Sequence, residues 1–396
     1  MLTSPLRTIT LGIAEPHPLP APVIQRAKTI LQGASTRFTD VGYEVQTVRL
    51  STRSLFDDLA AWSPENVLRY VKDLQGMLTD ADLSFCSLGT AQVTRPDFSL
   101  DQLDLLADIL ISTSALSGTV QLATLEHGLR QEAALPTAFV IRRLAQETEE
   151  GQGNFRFAML ACVAPGTPFF PAAYHAGPAS LSLGLQGAGI VTGALQEHRN
   201  NTSQAIDPAN ITQWVRDAVQ AYAFPIVKLG QEIAQEHGHL FGGIDVSPAP
   251  MGSDSIASAL ELCGYGPLGS PGTLSVASAL TSALKSTELP TCGYCGLMLP
   301  VLEDAGLGQR WEEGYVNVQQ LLLYSSVCGT GLDTIPLPGA CSAETIAHLL
   351  LDVATLALRL QKPLSARLFP APGKHAGEYT TFTSPYLTNT VVKEVF

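Results

Sequence analysis

Charge is scarce in this sequence. Asp, Glu, Lys and Arg make up 15% of its 396 residues, against about a quarter in an average soluble chain. Much of such a chain must lie in an interior or an interface, and a homo-oligomer is expected. Clusters of Lys or Arg are missing too. With 23 basic against 36 acidic residues the formal net charge is -13, which argues against a nucleic-acid backbone as partner. No apolar run approaches the roughly 18 residues that cross a bilayer, so no membrane partner is expected. The opening residues Met1 to Arg7 lack the charged and apolar regions of a signal peptide. Seven cysteines, an odd number scattered over a long chain, do not form a disulfide framework. A cytoplasmic location with reduced thiols is expected. Gly-x-Ser-x-Gly, His-Glu-x-x-His and the Gly-Lys-Ser/Thr ending of a P-loop are absent, so those hydrolase and nucleotide-binding classes lack support.

What is present is a chain able to bury a large core, 45% hydrophobic, with 34 Gly and 26 Pro for tight loops. Strand and helix patterns alternate. Arg7 to Ile13 is a β-branched run ended by glycine, and Val23 to Phe38 has helical spacing. Tyr43 to Leu50 alternates like a strand. Ser63-Pro64-Glu65 opens a helix with a hydroxyl cap, an early proline and an acid on the dipole. Ser99 to Gln102 reads as a capping box. Further strands are expected over Leu83 to Leu88, Phe155 to Val163, Ser180 to Leu185, Phe241 to Val246 and Ser365 to Phe369. Gly187-Ala188-Gly189 reads as a loop. Asp207-Pro208 starts a long helix that Pro225 should kink. Ser342 caps the last helix. This alternation predicts βαβ units and a parallel sheet. Residues 197–205 are the best candidate for an exposed internal connection.

The densest group of unusual residues runs from Thr291 to Pro336. Cys292-Gly293-Tyr294-Cys295 has the spacing of a redox dithiol or of half a zinc site. Pro300 follows too soon for a helix, and Cys328 with Cys341 is a poor second ligand pair, so the plainer reading is that the cysteines line a turn. No metal site is assigned and the cofactor is left open. Cys328-Gly329-Thr330-Gly331-Leu332-Asp333 sets a thiol and an acid near a strand end, where α/β proteins carry ligand groups. Asp245 ends another strand. Ser253, Asp254 and Ser255 precede one helix and Thr273 another. Each is either a cap or part of an anion site. His175 lies in an aromatic loop, as a structural group or an acid/base. Lys362 and Arg367 bring positive charge to the last strand, and Arg367 alternates with apolar neighbours, as a residue facing a cavity would.

Taken in order, Arg7 to Ile13, Tyr174-His175-Ala176-Gly177, Gly243-Ile244-Asp245 with Pro248-Ala249-Pro250, and Gly252 to Ser255 resemble the DUF711 family, also called UPF0210. Gly272-Thr273, Cys328 to Asp333 and Lys362 to Arg367 extend the likeness to about Gly377. The resemblance implies one domain over residues 1–396. It also implies a ten-stranded α/β barrel like that of pyruvate formate-lyase and other glycyl radical enzymes. Two parallel five-stranded halves would carry helices outside and a loop threaded inside. Residues 381–396 contain no glycine, so no glycyl radical is expected. The function expected is binding of a small anionic metabolite inside the barrel. Asp245, Ser253, Asp254, Ser255, Thr273, Lys362 and Arg367 would hold it. Cys328 as nucleophile or redox thiol, His175 as acid/base and Asp333 would stand at the reacting centre. The alternative is a non-catalytic metabolite-binding or regulatory protein on the same scaffold.

Overall fold

Alternate residues along the strands differ in kind, and this alternation builds the interior. The computed structural model describes residues 5–199 and 204–395. Its strands are β1 (Leu6–Gly12), β2 (Val48–Ser51), β3 (Cys86–Ala91), β4 (Leu116–Thr124), β5 (Gly128–Leu129), β6 (Phe157–Ala161), β7 (Ser180–Leu185), β8 (Leu240–Asp245), β9 (Gly331–Pro338) and β10 (Leu364–Ala371). They form one sheet in the order β8-β7-β1-β2-β3-β4-β6-β10-β9, with β5 attached to β4. Strands β1, β2, β3, β4 and β6 run parallel. β7 joins β1 antiparallel and carries β8 parallel to itself. β10 joins β6 antiparallel and carries β9 parallel to itself.

One face of this sheet is apolar. Ile9, Leu11, Leu116, Val120, Leu122, Leu181 and Leu183 belong to the main buried cluster, where the helices pack their apolar stripes. The alternate residues, Thr8, Thr10, Ser87, Ser117, Thr119, Gln121 and Ser182, are polar and yet buried. A polar sheet face normally faces water. Here chain segments cover it and accept its hydrogen bonds. Thr10 donates to the Pro168 carbonyl at 2.9 Å, Ser87 to Ala173 at 2.5 Å and the Gln121 amide to Val163 at 2.9 Å. A second, smaller apolar cluster lies on this inner face. Ala158 and Leu160 of β6 meet Phe169, Tyr174, Ala249, Tyr294 and Met298 there.

The sheet's ladders end at β8 and β9, and single bridges touch both ends. Thr291 bridges Ile244 of β8, and Pro300 bridges Asp333 of β9, both in parallel sense. Between them the Gly329 amide donates to the Leu297 carbonyl at 2.7 Å. The architecture is a mixed α/β fold on a ten-stranded sheet. Its ladders do not close into a ring.

Several local expectations meet their physical test here. Ser63, Asp207 and Ser342 cap the helices Pro64–Asp80, Pro208–Glu236 and Ala343–Leu360 through backbone amides. Pro225 lies inside the unbroken second of these. The Ser99 box does not form. Turn bonds from Gln102 to Ser99 and from Leu103 to Leu100 already wind the chain before the helix Gln102–Ser112 begins. Gly187 to Gly189 is not a loop but the start of the helix Ala188–His198, drawn in by buried Ile190, Val191, Ala194 and Leu195. The expected strand from Tyr43 shortens to β2, with Val45 making a single bridge to Leu6. The suggested connection over 197–205 falls partly on 200–203, outside the described residues. Among the described residues no helix is long and apolar enough to cross a membrane.

Candidate functional site

The inner face encloses a cavity of about 70 Å³, room for a few waters or one small molecule. Arg7, Arg49, Arg156 and Arg367 line it, with Glu303 and Asp333 as its carboxylates. Four guanidiniums against two carboxylates leave it electropositive. The acids are shared within one chain of ion pairs. Arg7 Nη2 lies 2.9 Å from Glu303 Oε2, Arg367 Nη2 lies 2.7 Å from Glu303 Oε1, and Arg367 Nε lies 2.5 Å from Asp333 Oδ1. Burial lowers the affinity of Arg367 for its proton, but Asp333 and Glu303 outweigh it and hold the charge firmly. Burial pushes Asp333 above the ordinary carboxylate range, against the pull of Arg367.

The remaining two arginines bond no carboxylate, though Glu303 favours the charge of Arg49 from a distance. Arg156 donates to the carbonyls of Leu116 and Leu110, both at 2.7 Å, and so ties a strand to a helix end. Arg49 donates through Nε to Thr47 Oγ1 at 2.9 Å. Its guanidinium lies against an edge-on pair of rings, 5.3 Å from the centroid of Phe85 and 5.2 Å from that of Phe170. Burial, with the like charge of Arg7 next, pushes Arg49 down to about 9. Two buried polar atoms on the cavity residues have no partner among the described residues, Arg7 Nη1 and Thr330 Oγ1, while the Tyr294 hydroxyl has the Ser365 side chain as its partner. Buried polar atoms are rarely left unpaired. Aromatic side chains form the outer wall. Tyr386 stacks on Phe155 at 5.7 Å and meets Phe85 edge-on at 6.1 Å.

Tyr294 reaches the cavity because Asp245 holds its loop. Asp245 Oδ2 accepts from the Tyr294 amide at 2.7 Å. Oδ1 accepts from the Cys295 amide at 3.1 Å and from the Ser247 amide and hydroxyl at 2.9 and 2.6 Å. Gly293 is obligatory there. Its φ is +71°, and a Cβ would collide with Asp245 Oδ2. The two thiols bond elsewhere: Cys295 Sγ contacts the Cys292 carbonyl at 3.2 Å, and Cys292 has the Ser182 side chain as its partner. Among the described residues no group of three His, Cys, Asp or Glu is placed to hold a metal ion.

Of the residues singled out from the sequence, the structure brings Asp333 and Arg367 together in this cavity. The others lie apart from its lining. Cys328 is buried, and its carbonyl accepts from Lys362 Nζ, which also bonds Ser325 O at 2.9 Å. His175 packs its ring against Gly12, with Nε2 3.2 Å from the Gly177 carbonyl. It lines a separate cleft with Arg53, Asp57 and Asp58. Asp254 accepts from Gln186 at 2.9 Å, Ser255 caps the short helix Ile256–Glu261, and Thr273 accepts from the Gly269 amide at 3.0 Å. Ser253 is exposed. The amides at the start of Ile256–Glu261 are taken by Asp304, 48 residues on, at 2.9 and 3.2 Å.

Sequence reasoning missed Arg7, Arg49, Arg156, Glu303 and Tyr294. For Arg7 and Arg49 a signal existed: each lies within a run of β-branched and apolar residues, as Arg367 does.

Comparison with known proteins gives the same result along the whole chain. The family model described as Uncharacterised ACR (DUF711) matches residues 3–384. A UPF0210 protein of Pyrobaculum aerophilum is 31% identical over 376 residues, covering 90% of this chain and 80% of its own. A UPF0210 protein of Thermoanaerobacter sp. is 26% identical over 406 residues, with 95% and 88% covered. One from Methanosarcina acetivorans is 26% identical over 407 residues, with 95% and 85% covered.

Proposed function

The chain belongs to the DUF711 (UPF0210) family, and from that premise we propose that it binds a small organic anion in the interior cavity, between Arg7 and Arg49. One observation carries this reading. Arg49 is buried near a second guanidinium, against two phenyl rings, with no carboxylate bonded to it. Removing a charge from water costs several kcal/mol unless a counter-charge restores it. An anion on Arg7 Nη1 and the Arg49 guanidinium supplies that charge and partners an orphaned donor. The small cavity and its aromatic wall favour a carboxylate on a short carbon chain over a bulky phosphate ester.

In this reading the sheet works as a pyruvate formate-lyase-like barrel, with residues 291–301 joining β8 to β9 and Tyr294 on its inner loop. The two single bridges and the buried polar inner face support it. The function is binding, in a cytoplasmic homo-oligomer. The low charge content and exposed apolar side chains such as Phe139 and Phe224 support self-association.

Thermal unfolding in millimolar acetate, propionate, succinate and phosphate at constant ionic strength tests the proposal. A short carboxylate should raise the melting temperature of the wild type and not that of Arg49→Gln. Stabilisation that is equal in the two proteins, or absent from both, overturns it.

A further inference from the structure

A carboxylate held by Arg7 and Arg49 leaves open what limits the rest of the ligand. A run of contacts around the cavity bears on that. Arg49 lies 5.3 Å from the ring centroid of Phe85, and Phe85 meets Tyr386 at 6.1 Å. Tyr386 stacks on Phe155 at 5.7 Å with the ring planes 13° apart, and Arg367 lies 6.0 Å from the Phe155 centroid. From Arg367 the ion pairs lead through Glu303 to Arg7. The two halves of this run differ in exposure. Arg7, Arg49 and Glu303 are buried, whereas Phe85, Phe155 and Tyr386 are partly exposed. The charges form the floor of the cavity, and the three rings stand at its mouth.

Tyr386 is the middle ring of the three. Phe85 directly precedes β3 and Phe155 lies two residues before β6, so the sheet holds both. Tyr386 belongs to the irregular C-terminal segment, which is tied down on either side of it. The Thr383 amide and hydroxyl donate to Glu150 at 2.8 and 3.0 Å. Leu387 is buried in an apolar cluster with Phe369 and Phe382. The Thr388 amide donates to the carbonyl of Leu302, the neighbour of Glu303, at 2.6 Å. A backbone so held does not lift away, and admission of a ligand falls to rotation of the Tyr386 side chain. Closed, the ring shields the apolar part of a ligand from water. A ligand long enough to hold the ring open forfeits its contacts with Phe85 and Phe155.

We propose that Tyr386 is the specificity-determining residue of the cavity, closing over a short aliphatic carboxylate and excluding longer ones. This rests on the proposed anion site and adds the residue that sets the length of its ligand.

Isothermal titration of the full chain with acetate, propionate, butyrate, hexanoate and octanoate at constant ionic strength tests it. In the wild type affinity should rise with the first methylenes, by up to about fourfold for each one buried, and fall again by hexanoate. In Tyr386→Ala the ratio of hexanoate to acetate affinity should rise on the order of tenfold. Tyr386→Leu should lie between, and Tyr386→Phe, which restores the ring, should return the wild-type ratio. Circular dichroism checks that each variant is folded. A wild type that keeps gaining affinity up to octanoate overturns the length limit, as does an unchanged ratio in folded Tyr386→Ala or Tyr386→Leu. Either result leaves the anion site standing where Arg49→Gln abolishes binding. No carboxylate binding by the wild type overturns both.

Discussion

The guanidinium of Arg49 stands 5.2 Å from the ring centroid of Phe170 and has no carboxylate bonded to it. Phe85 lies 5.3 Å away on the same group. The rings stabilise the cation through their quadrupoles, but they do not neutralise it. Glu303 and Tyr386 favour the charge only from a distance, and no carboxylate is bonded to it. Arg49→Met should remove the cost of burying it and stabilise the unliganded protein by about 1–2 kcal/mol, as buried charges replaced by well-packed apolar groups do. The same variant should lose response to carboxylates. Urea midpoints with and without propionate check both halves. A destabilised Arg49→Met would mean that the guanidinium already has its compensation.

Asp245 and Gly293 form the other fixed relationship of the site. The carboxylate organises Tyr294, Cys295 and Ser247 with four hydrogen bonds, and the glycine leaves room for it. Gly293→Ala adds a methyl in a left-handed conformation directly at the carboxylate. It should cost at least about 2 kcal/mol and displace Tyr294 from the cavity. Urea unfolding measures the first effect, and a crystal structure of the variant reads the second. An alanine variant of wild-type stability would show that the loop relaxes freely.

Much of this arrangement was legible in the sequence, though not the parts that make the site. Alternation of Thr8, Thr10 and Ser182 with Ile9, Leu11 and Leu183 announces strands with one polar face. It does not say that loops, not water, cover that face. Arg367 was legible because it interrupts an apolar run, and Arg7 and Arg49 carry the same mark. Their meaning was hidden because partners lie far along the chain, Glu303 being 296 residues from Arg7. The glycine/serine helix starts misled for the same reason, since distant Asp304 already fills the amides after Ser255. Cys292 to Cys295 drew notice for its thiols, while the residue it delivers to the cavity is Tyr294.

His17 carries a pH dependence of its own. It is buried, with Nδ1 2.7 Å from Tyr70 Oη and Nε2 2.8 Å from Thr52 Oγ1. Burial, opposed by Asp58, pushes it down from 6.5 to about 4. Between those values only the unfolded chain takes up the proton. The stability it provides is therefore fully present above about 6.5 and is lost as pH falls towards 4. Linkage puts the loss at about 2 kcal/mol between pH 7 and pH 5. Asp245, Asp304 and Asp333, all raised chiefly by burial, act in the opposite direction, because the folded chain takes up their protons first. The clean measurement is the difference between wild type and His17→Asn in urea at the two pH values. An identical pH response in the two proteins would remove His17 from the account.

Thiol reactivity separates a buried Cys328 from an activated one. Cys162, Cys292 and Cys341 are partly accessible, whereas Cys86, Cys263, Cys295 and Cys328 are buried. Burial pushes Cys86 and Cys263 up to about 12 and Cys341 to about 11, and it raises Cys162 as well. Cys292 is raised well above its ordinary value by burial and by nearby Asp245. Alkylation requires both access and thiolate, so limited iodoacetamide should label Cys162 and Cys341 first. Cys328 should react no faster than Cys86, because Lys362 bonds its backbone carbonyl and the residue stays closed to solvent. Peptide mass spectrometry over a time course reads the order. Preferential labelling of Cys328 would restore it as a nucleophile and require an opening that brings its sulfur to the cavity. The observed order, taken with and without a bound carboxylate, then tells whether that opening is coupled to the Arg49 site.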